Sequence, residues 1–313
     1  MTLFFSTLNQ MAFLFLLIVI GYIVARLGAV PENASTVLSK LENNIFIPAL
    51  VLGTFMENFT LARLGVAGQF FGVGFITILV TMPLAVLAAR LCAKDPYVRN
   101  IYTYGLAFSN FGFMGNAVVS ALFPDIFLEY LIFVLPFWMF IYLWGVPVLL
   151  IPTGDGGSIA ARLKSFLNPM FIAMVIGVVL GLWNPPLPSF VGSVVDTLGD
   201  CMSPVAMLLT GMTIARINLA ATFKNISVYV VSVIRLLIIP LAAVVLLMWL
   251  PMSHELAVCV VCSLAMPLGL NTIVVPGAYG KDTSVAAGMA LISHTLSCAT
   301  IPLVFMVFDM LVK

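Results

Sequence analysis

Two apolar segments, each long enough to cross a bilayer, carry helix-breaking residues at their middles, and this interruption constrains the fold more than any other feature of the chain. They are AFSNFGFMGNAVV, Ala107 to Val119, and AMPLGLNTIVVP, Ala265 to Pro276. Glycine, proline and side-chain amides stand where an unbroken membrane helix would present hydrocarbon. A helix broken there leaves backbone N–H and C=O groups unpaired, which hydrocarbon does not tolerate unless protein, water or a ligand satisfies them. Broken helices in corresponding halves of a chain point to a substrate site near mid-membrane.

The surroundings of these segments suit a lipid bilayer and not water. Of 313 residues, 63% are hydrophobic and 8% charged, too little polar surface to cover a soluble globule. The formal net charge is +1, with no basic run and no acidic tail, so nothing in the chain suits nucleic acid or a strongly charged partner. The first apolar run, Met11 to Val24, has no basic n-region and no small-residue cleavage site, and reads as a retained helix. Cys259 and Cys262 form a C-x-x-C, but without a second pair or a nearby histidine they read as packing residues; no metal and no cofactor is expected.

At about 20 apolar residues per crossing, the expected fold class is an all-α integral membrane protein with ten transmembrane helices. They run from Leu8 to Arg26, Ser35 to Met56, Gly65 to Leu91, Val98 to Leu122, Phe127 to Ile151, Phe166 to Leu182, Phe190 to Met212, Ser227 to Leu250, Glu255 to Tyr279 and Ser284 to Leu311. The one extended polar stretch, PTGDGGSIAARLKS at 152–165, reads as a cytoplasmic linker between a first half, 1–151, and a second, 166–313. The halves echo each other. Gly21 and Gly177 are 156 residues apart, as are Pro48 and Pro204, Thr54 and Thr210, Met56 and Met212, and Val118-Val119 and Val274-Val275. Pro83 and Pro240 are 157 apart, and Pro147 and Pro302 are 155 apart. A nearly constant offset across five successive helices indicates duplication. Five is odd, so the second repeat starts on the opposite side of the membrane and is inverted.

Lysine and arginine set the expected orientation. With both termini outside, the inner face receives Arg26, Lys40, Arg90, Lys94, Arg99, Arg162, Lys164, Arg216, Lys224 and Lys281, and the outer face only Arg63 and Lys313. The expected location is a plasma membrane, of the bacterial inner-membrane kind.

Several polar residues fall inside these segments. Arg235, in SVIRLLIIP, lies within the eighth, where insertion of an arginine at the helix centre costs roughly 2.5–3.5 kcal/mol. It is either a counter-charge for an anionic substrate or titrating carboxylate, or an interhelical hydrogen-bond donor. Asp196 and Asp200 are four apart on one face of the seventh. In apolar surroundings such a pair carries protons at neutral pH; facing water at the outer surface it does not. D-x-x-x-D also raises an intramembrane prenyltransferase holding diphosphate through magnesium, but that chemistry needs a second acidic cluster and Glu42 stands alone, so an enzyme is not expected. His294, in LISHTLSC, is either hydrogen-bonded through neighbours such as Ser293 or Thr295, or a proton relay. Asn110 and Asn116 flank Gly112 and Gly115, and Asn271 follows Pro267 and Gly269. These amides either satisfy freed backbone groups or donate to a substrate carboxylate, which half-helix N-termini also favour. The expected substrate site is therefore Asn110, Gly112, Gly115, Asn116, Pro267, Gly269 and Asn271, with Asp196, Asp200, Arg235 and His294 as ion- or proton-coupling candidates.

The S-N-x-G-F-x-G segment, Ser109 to Gly115, followed by M-P-x-x-x-N-x-x-V from Met266 to Val274 and Y-G-x-D from Tyr279 to Asp282, resembles the auxin efflux carrier family of permeases. SHTLSCATIPLV in the tenth segment and I-P-A-L around Pro48 are also similar. The family places proline two residues after the glycine matching Gly115, where this chain has Ala117, so the fourth-helix break relies here on Gly112, Gly115 and the amides. The resemblance implies helices four and nine crossing at their breaks, a scaffold of helices one, two, six and seven, and a mobile unit moving by an elevator-like shift. Members carry organic anions, auxin in plants and carboxylates such as malonate or malate in bacteria, and this chain is similar to the compact bacterial type. The expected partners are a small organic anion and the bilayer, with any homodimer formed through the scaffold helices. A sodium-coupled carrier resembling the bile acid symporter family, which shares the crossover, is the competing reading.

Overall fold

The computed structural model describes residues 2–151, 167–216, 225–279 and 281–312. The expected linker 152–165 lies outside the described residues, as do Lys224, Gly280 and Lys313. Among the described residues all regular structure is helical, and pairing between extended segments is confined to one isolated antiparallel bridge, Ser109 with Leu268.

Helix α1 is Thr2–Arg26. Helix α2 (Ala34–Leu41) passes through a π-helical turn, Glu42–Phe46, into α3 (Ile47–Asn58) without leaving helical dihedrals. Helix α4 is Leu61–Cys92. Asp95 caps α5 (Pro96–Ala107) by accepting the Val98 N–H at 2.9 Å, with Pro96 in the first turn, where no intrahelical N–H is needed. After a break, a π turn Phe111–Gly115 leads into α6 (Asn116–Leu122). Helix α7 (Phe127–Phe140) continues as a π-helical stretch, Ile141–Leu150. Helix α8 (Pro169–Trp183) is capped by Asn168 and ends at Asn184 in the left-handed region, φ 46°. Then follow α9 (Ser189–Asp200), α10 (Met202–Ile214), α11 (Ile226–Val233), a π turn Ile234–Ile238 and α12 (Ile239–Leu247). The chain closes with α13 (His254–Ala265), α14 (Asn271–Ala278) and α15 (Ser284–Leu311).

Among the described residues, five helices are long and apolar enough to cross a membrane: Phe4–Arg26, Gly65–Cys92, Pro124–Leu150, Ile226–Leu247 and Ser284–Leu311. Large apolar side chains project outward from them, among them Phe13, Leu16 and Ile20 on α1 and Leu79, Leu84 and Leu87 on α4. That surface belongs to an integral membrane protein, since water would leave it uncovered. The other five expected segments are not single long helices. Ser35–Met56 contains the π turn at Glu42, Leu167 and Asn168 precede the helix that starts at Pro169, and Phe190–Met212 is divided at Cys201, three residues before Pro204, which has no N–H for the Asp200 carbonyl. Val98–Leu122 and Glu255–Tyr279 are broken outright.

Two helix pairs approach closely through glycines at matching positions of the two halves. Gly21 of α1 lies against the Leu208 backbone of α10, and Gly177 of α8 lies where an added Cβ would come within 2.9 Å of the Leu52 carbonyl of α3. Both partners of one contact are displaced by 156 residues from those of the other. Thr54 and Thr210 keep the same relation, each hydroxyl donating to the carbonyl four residues back, Leu50 at 2.7 Å and Ala206 at 2.8 Å. Small residues let membrane helices approach backbone to backbone, where packing supplies the attraction that lipid cannot. Gly21→Val and Gly177→Val should each destabilise the protein by about 1–3 kcal/mol. Gly72→Val, with nothing near its Cβ position, should not. Melting of the three detergent-purified variants checks this, and wild-type stability of Gly21→Val would mean that α1 and α10 are not held at this distance.

Candidate functional site

The two interrupted segments meet. Helix α5 ends where Phe108 turns extended (φ −115°, ψ 104°), and α13 ends where Met266 does (φ −68°, ψ 150°). Met266 precedes proline, a position that disfavours helix, and Pro267 has no N–H to continue the ladder. The extended pieces run antiparallel past each other, joined by the Ser109–Leu268 bridge and by the Asn110 N–H donating to the Pro267 carbonyl at 2.7 Å. The fourth-segment break lies at Phe108–Asn110, upstream of Ala117, so it does not need the proline that this chain lacks there; bonding to the other break replaces it. Gly269 sits so close to this junction that a Cβ would be 3.0 Å from the Phe108 oxygen.

Each break orphans carbonyls, and a single guanidinium collects them. Leu106 loses the partner it would have had at residue 110, because the Asn110 N–H is bound to Pro267. Ser263 loses its partner because residue 267 is proline. Arg235, completely buried, donates Nη1 to the Leu106 carbonyl at 2.9 Å, Nη2 to Ser263 at 3.0 Å and Nε to Met266 at 3.1 Å. The Ser109 hydroxyl adds a second donor to Ser263 at 2.6 Å. The positive charge thus stands at the negative ends of α5 and α13 together, where both dipoles favour it. Arg235 fits the interhelical reading. Among the described residues the one ion pair is Arg63 with Glu129, 2.9 Å, between the starts of α4 and α7.

Asn110 is buried, and its Nδ2 lies 3.0 Å from His294 Nε2. The other ring nitrogen, Nδ1, lies 2.8 Å from the Ala290 carbonyl oxygen, which has only lone pairs to offer. Nδ1 therefore carries hydrogen, and in the neutral ring Nε2 accepts from the Asn110 amide. This differs from the expected partners: Ser293 receives the Leu268 N–H at 3.3 Å and Thr295 donates to Leu291 at 2.8 Å. Asn271, half-buried, donates Nδ2 to the Tyr104 hydroxyl at 3.1 Å.

Asn110, Gly112, Gly269 and Asn271 line one cavity with Tyr104, Ser109, Trp138 and Ile141. Its volume is about 20 Å³, room for about one water. Pro267 supports it through the crossing bond. Gly115 packs instead against the Tyr130 hydroxyl, and Asn116 is buried off the cavity with its Oδ1 unpartnered among the described residues. Asp196 and Asp200 are exposed and line a separate cavity of about 210 Å³ with Glu57, Arg63 and Asp125, so the structure does not join them to the crossover. Sequence reasoning missed Tyr104, Trp138 and Ile141. The last two come from other helices, where an aromatic or an isoleucine on a buried face carries no pattern of its own.

The family described as Membrane transport protein, Mem_trans, matches residues 6–161 and 157–305. A curated relative from Methanothermobacter thermautotrophicus, named "Uncharacterized transporter", is 26% identical over 289 residues, covering 92% of this chain and 93% of its own length.

Proposed function

Because this chain belongs to the Mem_trans family of membrane transport proteins, we propose that it is a secondary transporter of small organic anions, taking a carboxylate such as malonate or malate at the crossover. The observation that carries this is the cavity shared by Asn110 and Asn271, brought together from the two halves of the chain. The segments starting at Phe111 and Asn271 both begin at its wall. The first N–H groups of a helix lack intrahelical partners and form its positive end, so this wall favours an anion.

The proposal includes ten crossings in two inverted repeats, 1–151 and 166–313, with the linker on the cytoplasmic face and both termini outside. The matched contacts Gly21–Leu208 and Gly177–Leu52 support the duplication. Helices α1, α2–α3, α8 and α9–α10 form the scaffold, against which the unit carrying the crossover moves as an elevator. A cavity of about 20 Å³ cannot hold a dicarboxylate, so loading requires the walls formed by Trp138, Ile141 and Asn271 to separate first.

Thermal stabilisation of the detergent-purified protein by a panel of carboxylates, with and without sodium, tests the reading, because a ligand that binds the native state raises its melting temperature. Malonate or malate should raise it. Asn271→Ala should weaken that ligand at least about tenfold, the loss of one hydrogen bond to a charged group. Stabilisation only with sodium present would select the sodium-coupled carrier. No shift with any anion in folded protein would overturn the reading.

A further inference from the structure

Asn110 presents the wrong atom to an anion in the state described above. Its amide nitrogen is turned to His294, which leaves Oδ1 as its other polar atom, and the side chain lines the crossover cavity. A carboxylate entering there would meet an amide oxygen, lone pair against lone pair. The cause lies in the imidazole: with Nδ1–H held by Ala290, the neutral ring offers only a lone pair at Nε2, and an amide can fill it only with N–H.

We propose that His294 and Asn110 form a proton-operated switch for anion binding. A proton taken from bulk water adds to the Nε2 lone pair, making that nitrogen a donor. Asn110 then turns its amide over about the terminal torsion, accepts Nε2–H with Oδ1 and presents its NH₂ group to the cavity. Nδ1–H stays on Ala290 throughout, and no covalent bond other than Nε2–H forms or breaks. The anion meets a donor where it had met an acceptor, with an imidazolium charge one hydrogen bond behind it. Loss of the proton reverses the turn and expels the anion. This inference rests on the reading of the crossover as the anion site and adds the group that couples it to protons.

The geometry around the ring leaves His294 free to act as the switch. Among titratable groups on elements packed against α15, Tyr22 of α1 shares a second cavity wall with the ring, Tyr104 of α5 is bound to Asn271, and Arg235 is bound to three carbonyls. Cys259 and Cys262 of α13 are buried thiols. The remaining charged residues of these elements, Arg26, Arg99, Glu255 and Asp309, stand at or near helix ends. Among the described residues, the carboxylates of the elements packed against α15, with that of α15 itself, stand at or near helix ends and do not take the anion's place beside the ring.

The sign follows from linkage. The anion binds the protonated state more tightly, so it raises the pKa of His294, and its affinity falls as pH rises through that pKa. A tenfold preference for the protonated state corresponds to a rise of one pKa unit. The chain has two histidines, so His254→Gln leaves His294 as the only one. In that chain, labelled with ¹⁵N-histidine, nitrogen NMR from about pH 5 to about pH 8 reports the tautomer and protonation of His294 with and without malonate, beside thermal stabilisation of the same sample. Expected are the Nδ1–H tautomer without anion and an upward pKa shift of at least about one unit with it. In His294→Gln, malonate affinity should become independent of pH. Malonate that stabilises the protein while His294 titrates identically in its presence overturns the switch and leaves the crossover site standing. Absence of stabilisation by any carboxylate removes the site itself, and the switch with it.

Discussion

Arg235→Met should leave little folded protein. The substitution keeps most of the side chain's length but removes the donors to the Leu106, Ser263 and Met266 carbonyls, at a site with no exposure. An unsatisfied buried carbonyl costs about 1–3 kcal/mol. Ser263 retains the Ser109 hydroxyl, so two carbonyls are left bare and a third half-served, a loss of several kcal/mol against a total stability of about 5–15 kcal/mol. Arg235→Lys keeps the charge, but one ammonium nitrogen cannot reach what three guanidinium nitrogens reach, and it should recover only part of the loss. Size-exclusion profiles and melting temperatures of the two variants, compared with wild type, test the assignment. An Arg235→Met protein that elutes and melts as wild type would show that the carbonyls find other donors, and that the arginine is retained for a different purpose.

Gly269→Val should abolish transport. A Cβ at residue 269 would lie 3.0 Å from the Phe108 oxygen and 3.3 Å from the Ser109 oxygen, both backbone atoms of the opposing segment. The branched methyls of valine enlarge the conflict, and backbone cannot rotate away as a side chain can. The segments must separate, stretching the Asn110 to Pro267 bond and moving Asn110 away from Asn271 across their shared cavity. Misplacing a binding group by about 1 Å is enough to cost on the order of 100-fold in activity. Gly269→Ala, with a single methyl at the same spot, should retain part of the function. Uptake of labelled malonate or malate into proteoliposomes measures both. Equal uptake by Gly269→Val and wild type would mean that the close crossing is not what positions the two amides.

The ninth-segment break was legible in the sequence because proline acts locally, whereas the fourth-segment break, at Phe108–Asn110, falls just before the glycines that pointed to it. Proline removes an N–H and restricts its predecessor wherever it stands, and Met266 turns extended for that reason. The membrane class was equally legible, from apolar runs that only a bilayer could cover. An offset of 156 residues recurs along the sequence, and it separates the partners of two glycine contacts, Gly21 against Leu208 and Gly177 against Leu52. Less was legible of how each polar residue is used. Arg235 could be a counter-charge or a hydrogen-bond donor until its three carbonyls were seen, and His294 was assigned sequence neighbours when its partners are Ala290, one turn back, and Asn110, 184 residues away.

By itself, then, the sequence determined that the chain spans a membrane and that its helices break at two places, since length, hydropathy and missing N–H groups are properties of short stretches read one at a time. Tertiary structure alone decided that the breaks touch, that Arg235 serves both, and that Asn110 turns its nitrogen to His294. These depend on which orphaned groups lie within about 3 Å of one another. Distance of that kind is set by the packing of segments remote in the chain, and no local pattern encodes it.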